Sequence, residues 1–226
     1  MAITTRATLR TAINTRLVRS ETDAQLDEFI QEGENELNAK LRLLQQEAST
    51  PVSVTLSSGA NVATLPTSAV TGLGGFLELI TLRWNDLDGP GPTVQPLDVV
   101  RNSYSSSTGR PSYVAVSSDF VFERPADQAY TLKSVHFAKW ALGSSTGDAN
   151  WLLTNFPYAY LYAAMAAAAS GYLRSRKLAL EWGAERDKWV AKLNDMDARV
   201  RKVGATLTVD AGLLGRGGSR YDINRG

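Results

Sequence analysis

The chain has 226 residues, 43% of them hydrophobic, enough for one sizeable domain or two small ones with an ordinary core. With 24 basic and 23 acidic residues its net charge is +1, so bulk charge recruits neither nucleic acid nor an anionic membrane, and any basic surface must be local. It contains no cysteine, which excludes a disulfide scaffold, a thiolate zinc site and a thiol nucleophile and leaves the redox compartment open.

The N-terminus, "MAITTRATLRTAINTRLVRS", lacks the uninterrupted apolar run of a signal peptide, so folding in the cytoplasm is expected. From Thr5 to Leu17, Leu9, Ile13 and Leu17 recur at four-residue spacing beside Arg6, Arg10, Arg16 and Arg19, and no acidic residue occurs in residues 1–20. This predicts a basic amphipathic first helix. Thr22 with Gln25 three residues on has the form of a capping box, and Leu26, Ile30, Gly33, Leu37, Leu41 and Leu44 then continue a helical stripe. The carboxylates of this second helix, Asp23 to Glu36, favour the helix dipole near its start and read as a solvated face.

Pro51 ends the helical pattern and opens a region rich in β-branched residues. "PVSVTL" and "NVATLP" read as short strands paired around residues 57–60, and "GFLELITLRWN" as a longer one. "SYVAV", the turn "SSD" and "FVFER" form a hairpin, against which "AYTLKSVHFAKW" is expected to return as a third antiparallel strand. Helix resumes at Pro157, breaks near Ser170-Gly171, and continues from about Ser175 to Val203, with Leu178, Trp182, Trp189, Leu193, Met196, Val200 and Val203 on one face and Gly204 at the C-cap. The expected class is α+β: N-terminal helices, a central antiparallel β unit, a C-terminal helix pair and an extended tail. Boundaries fall at residues 1–50, 51–142, 143–204 and 205–226, the first and third packing together as one helical domain.

No charged side chain occurs from Ala149 to Leu173. Counted from Tyr158 to Leu173 this helix would be about 24 Å long, short of a bilayer core. Seven of the eleven residues from Ala159 to Ala169 are alanine, which drives weakly into lipid but lets neighbouring backbones approach closely. A core helix that also serves a subunit interface is expected, with Ala163, Ala164, Ala167 and Ala168 on its close-packed faces.

Apparent catalytic signatures fail on context. Gly143-Ser144-Ser145-Thr146-Gly147 matches the G-x-S-x-G elbow, but that motif needs a parallel sheet and a later histidine, and the one histidine, His136, lies upstream on a predicted strand. His136 reads as a strand residue with a satisfied hydrogen bond, and a lone histidine builds no histidine metal site. "TGLGGF" lacks phosphate-loop spacing. No enzyme, metal or cofactor is expected. The tail beyond Gly204 carries Arg216, Arg220 and Arg225, five glycines, and apolar anchors at Leu213, Leu214, Tyr221 and Ile223, and reads either as a floppy terminus or as a segment that orders on a partner.

The blocks "YSSSTGRPSYVAVSSDFVFERPADQAYTLKSVHFAKW", "NWLLTNFPYAYLYAAMAAAASGYL" and "ALEWGAERDKWVAKLNDMDARVR", with "FLELITLRWND" and "LDEFIQEGENELNAKLR", resemble the head-tail adaptor, or connector, proteins of tailed bacteriophages over about residues 9–203. Where relatives tend to be acidic between the last two helices, this chain has Arg174-Ser175-Arg176-Lys177. The resemblance implies a structural virion protein at the head-tail interface: a homo-oligomeric ring, a dodecamer, between the portal protein and a tail or nozzle protein, with double-stranded DNA passing through its centre and no membrane contact. On that reading Leu213, Leu214, Arg216, Arg220, Tyr221, Ile223 and Arg225 dock on the portal or a neighbouring subunit. The alternative is a nucleic-acid-binding protein acting through the basic first helix or the Arg/Gly tail.

Overall fold

The computed structural model describes residues 2–47, 51–67, 72–85 and 91–203. Two helices come first, α1 (Arg6–Leu17) and α2 (Asp23–Lys40). Both start on capping boxes, Thr5 with Thr8 and, as expected, Thr22 with Gln25, so the N-cap and third-position N–H groups of each helix are satisfied. The turn between them is tied by Asn14, whose Oδ1 accepts from Glu21 N at 3.1 Å. A 3-10 turn, Leu44–Gln46, follows α2.

Seven strands follow: β1 (Val52–Leu56), β2 (Val62–Thr64), β3 (Leu73–Trp84), β4 (Thr93–Val94), β5 (Tyr113–Val116), β6 (Asp119–Phe122) and β7 (Tyr130–Trp140), with a short helix α3 (Leu97–Asn102) between β4 and β5. They form two sheets, β1-β7-β3 and β2-β6-β5-β4, antiparallel except for the β4–β5 pair. The expected β5–β6 hairpin is present. Two expected pairings are not. β1 pairs with β7 and β2 with β6, so the turn at residues 57–60 crosses between sheets, with Gly59 at φ +75°. Likewise β7 leaves β6 and runs between β1 and β3. In each case changing sheets lets both apolar faces close on one core: Val54, Leu56, Leu82 and Leu132 from the first sheet against Val114, Phe120 and Phe122 from the second.

The C-terminal helices are α4 (Trp151–Asn155), α5 (Pro157–Ala167) and α6 (Arg176–Val203), with a π-helical turn at Ala168–Tyr172. The helical run thus begins before the expected Pro157, because Asn150 caps α4. The break near Ser170-Gly171 is the π turn, closed by Arg174 at φ +47°. Gly204 lies outside the described residues. α5 is buried among α1, α2 and α6, and this second core takes in Leu73, Ala138 and Trp140 from β3 and β7.

In this core α2 and α5 approach each other closely. A Cβ built on Gly33 would sit 2.6 Å from Ala164 N and 2.8 Å from the Ala163 carbonyl carbon. Both are backbone atoms, so a methyl there forces the helices apart. Gly33→Ala should therefore destabilise the protein by about 1 to 3 kcal/mol, lowering Tm by roughly 2 to 4 °C per kcal/mol. A thermal melt indistinguishable from that of the parent would show that the α2–α5 contact yields without cost.

Candidate assembly surface

α5 is apolar on every face, and Ala159, Tyr160, Leu161, Ala163, Ala164 and Met165 are buried. A helix of that kind belongs inside a core. Ala163 and Ala164 lie against Gly33, and Ala168 in the π turn is fully buried. Their close packing is made inside the protomer. Ala167 differs: it is half-buried and, with Ala166, Ala179 and Gly183, floors a shallow groove between α2 and α6 that Glu32 borders.

The most polar part of the helical core is centred on Glu34. Its Oε1 accepts from Leu142 N at 2.8 Å and from the Tyr160 hydroxyl at 2.7 Å, and Asn150 Nδ2 donates to that hydroxyl at 2.6 Å. Arg6 holds the carbonyl of the same residue, donating to Leu142 O at 3.1 Å and also to Gly143 O. Its Nε donates to Asp27 at 3.0 Å, and Asp27 also takes bonds from Arg10. The strand exit at residues 142–150 is thereby clamped between α1, α2 and α5, and Asn150 leaves no room for a side chain at Gly72, whose φ is +81°. Burial pushes the Glu34 carboxyl up to about 7, against the hydrogen bonds from Tyr160 and Leu142 and the charge of Arg6. Burial and Glu34 raise Tyr160 well above its ordinary value. Burial would raise Asp27 too, but the bonds from Arg10 and Arg6 hold it below the usual range.

This cluster was not legible as a site, since Glu34 sits in a run of carboxylates that reads as solvated. The stripe Leu26, Ile30, Gly33, Leu37 carries the signal. Glu34 lies four residues after Ile30 and three before Leu37, at the edge of the buried face.

The four arginines of the first twenty residues, three on α1 and Arg19 beyond it, do not form one basic surface. Arg6 and Arg10 are spent on Asp27 and Asp23, and only Arg16 and Arg19 point outward. Arg16 lies over the rings of Tyr158 and Tyr162, 5.6 and 5.4 Å from their centroids, and donates to the Tyr162 hydroxyl at 3.1 Å. Tyr158 stacks on Trp189 at 6.0 Å, and Lys192 sits 4.6 Å from the Trp189 centroid. The result is an aromatic face between α1 and α6.

The other expectations resolve as follows. Ser145 lies in an exposed turn where its N–H donates to Asp148 at 2.7 Å. His136 is buried in β7 and stacked on Phe76; its Nδ1 has only a 3.4 Å contact with Ser134, and its Nε2 has no partner among the described residues, so its hydrogen bonding is poorer than expected. Burial lowers its pKa, which keeps it neutral. On α6, Leu193 is buried as expected, whereas Met196 and Val200 are exposed. Leu213, Leu214, Arg216, Arg220, Tyr221, Ile223 and Arg225 lie outside the described residues. Among those described, no helix is long and apolar enough to cross a membrane, and no acidic or histidine cluster could hold a metal ion. The family model of the SU10 adaptor protein matches residues 4–210. No curated protein matches the chain.

The Glu34 cluster makes stability depend on pH. Its folded value of about 7 lies above the ordinary 4.5, so the stability contributed by the protonated acid is complete below about pH 4.5 and lost as pH rises through about 7. By linkage that loss is about 3 kcal/mol. Glu34→Gln retains an acceptor for Leu142 and Tyr160 and should flatten the profile, so urea unfolding at pH 5 and pH 8 should differ by about 3 kcal/mol less than in the parent. An unchanged difference would assign the pH dependence elsewhere.

Proposed function

The chain belongs to the SU10 adaptor protein family of phage head-tail adaptors, structural proteins of the virion, and we propose that it forms the ring that joins the capsid portal to the tail. In this reading the ring is a dodecamer, its partners are the portal protein and a tail or nozzle protein, and double-stranded DNA passes through its centre. The protein folds in the host cytoplasm and joins the virion afterwards. Residues 1–50 and 143–204 act as one helical domain and residues 51–142 as the β unit. Ala167, the alanine of the four that keeps exposed surface, contributes to the subunit contact.

The observation that carries the reading is the family match, which runs through both the helical and the β parts. The structure supports a protein that acts by shape. Its charged groups in the helical core are engaged with one another and with backbone, as the Arg6–Asp27–Arg10 cluster is. Its broadest aromatic surface stays open. A head-to-tail interface that closes by rotation uses two different faces of each subunit, and the chain offers distinct candidates for them. Residues 213–225 supply a further contact, with Leu213, Leu214, Tyr221 and Ile223 as apolar anchors and Arg216, Arg220 and Arg225 pairing with acidic groups.

Two outcomes are expected. The purified chain is a monomer or weak oligomer and reaches ring mass only when portal is added, because near-neutral subunits with a partner-dependent segment assemble on a template. Mass photometry with and without portal checks this, and stable rings of the chain alone would count against it. Deleting residues 205–226 should leave Tm nearly unchanged, since both cores lie within the described residues, yet weaken portal attachment in a pull-down. Undiminished attachment of the truncated chain would remove the segment from the interface.

A further inference from the structure

The face between α1 and α6 is a groove of about 730 Å³, floored by Tyr162 and Met165 of α5 and walled by Arg16 on one side and Trp182, Glu181 and Glu185 on the other. Tyr158, which extends the floor, keeps 42% of its surface exposed. Trp, Tyr, Met and Arg are the side chains enriched in the energetic centres of protein interfaces, and four aromatic residues meet along this one face. The floor already holds one of the chain's own cations, Arg16 over Tyr158 and Tyr162, and beside the groove Lys192 lies over Trp189, which stacks on Tyr158. It accepts guanidinium and aliphatic groups alike. Among the described residues the two carboxylates of the wall are paired with Lys177 and Lys188, whose side chains are 85% and 70% exposed, and such pairs are readily exchanged for another cation.

One stretch of this chain has the matching composition. Residues 211–220, "AGLLGRGGSR", contain two leucines, two arginines and no acidic residue, and their four glycines let the backbone lie close to a floor. The position of this stretch argues for which copy supplies it. At 1.5 Å per residue, Val203 is about 27 Å along α6 from Glu185. The C-terminal end of α6 is fixed at the other side of the molecule, where Arg201 meets Glu47 and lies over Phe137 of β7. The ten residues from Gly204 to Leu213 span at most about 33 to 36 Å, so Leu213 reaches its own groove only along a nearly straight, fully extended return path. Donor and acceptor at opposite ends of one subunit are the arrangement of a head-to-tail contact.

We propose that the α1–α6 groove receives residues 213–220 of a second copy of this chain, with Leu213 and Leu214 over Tyr162 and Trp182 and Arg216 beside Glu181 and Glu185. The assignment rests on the assembly proposed above and names the surface that joins neighbouring subunits. Each subunit gives its C-terminal segment to one neighbour and takes the segment of the other.

The absence of cysteine allows a direct test in the full chain. Ala184, exposed on the groove wall, and Leu214 are replaced separately, giving Ala184→Cys and Leu214→Cys proteins, and a control carries Ser58→Cys on the exposed turn of the β unit. Leu214→Cys protein is mixed with each of the others in the presence of portal and oxidised with diamide. Docking between copies should give the 184–214 heterodimer in roughly tenfold higher yield than the 58–214 heterodimer, through the raised local concentration. Equal yields overturn the proposal. So does a double variant, Ala184→Cys with Leu214→Cys, that closes within one chain while the mixed pair does not, because the occupant is then the chain's own segment. Mass photometry of the same samples separates the two readings. Rings that form without the 184–214 bond overturn the groove and leave the ring, whereas failure of the unsubstituted chain to assemble on portal overturns the ring itself.

Discussion

The contact of Gly33 with the backbone of Ala163 and Ala164 sets the geometry of the helical core. Two helices whose backbones touch have their neighbouring side chains delivered to fixed places. Glu34 follows Gly33, and Tyr160 lies one turn before Ala164, so the approach that needs glycine and alanine also brings the carboxyl within 2.7 Å of the phenol. A larger residue at any of these positions would widen the gap and leave Glu34 buried without its donors, which costs more than the lost contact. The small residues and the buried acid are therefore one feature.

From that point the order extends into the β unit. Leu142 N–H binds Glu34, and one residue pair earlier the Trp140 backbone exchanges both of its hydrogen bonds with the Asn38 side chain, at 2.7 and 3.1 Å. Gln46 then donates to Ala138 O at 3.2 Å. Side chains of α2 and the turn after it satisfy the end of β7 beyond its pairing with β1. β7 itself passes from one core to the other, with Tyr130 and Leu132 among the sheet residues and Ala138 and Trp140 among the helices. The two cores thus share a strand as well as a surface, and a change in the α2–α5 spacing is felt at the base of the sheets.

What was legible in the sequence was whatever depends on near neighbours. The capping box at Thr22 needs only a residue three positions on, and α1, α2, α5 and α6 all stand close to where periodicity puts them. The strands were visible for the same reason, but their partners were not. "PVSVTL" pairs with a strand some eighty residues away, as Val52 does with Ser134, and nothing in its own alternation says so. α3 and α4, at six and five residues, are too short for a period to show and exist because their neighbours pack on them. The family resemblance was carried by long blocks of sequence, and the family match spans the same blocks. Glu34 was hidden by its context, a helix on which Glu28, Glu32 and Glu36 are exposed as expected, while Asp27, held by Arg6 and Arg10, also departs from the solvated reading.

The fate of the N-terminal arginines shows how a charge pattern changes meaning on folding. In the first twenty residues they stand unopposed; in the fold Arg6 and Arg10 are bound to Asp27 and Asp23 of the next helix, and Arg16 rests on two tyrosines. Arg19 stays 55% exposed, with Glu21 3.9 Å away. Affinity for duplex DNA grows with the number of phosphates that free cations can neutralise, and this helix has given up most of its supply to internal pairs. That loss weakens the reading of a DNA-binding helix. The charges that would have met phosphates fix α1 against α2 instead, so the pattern that reads as a basic helix in the sequence is part of the helical core in the fold.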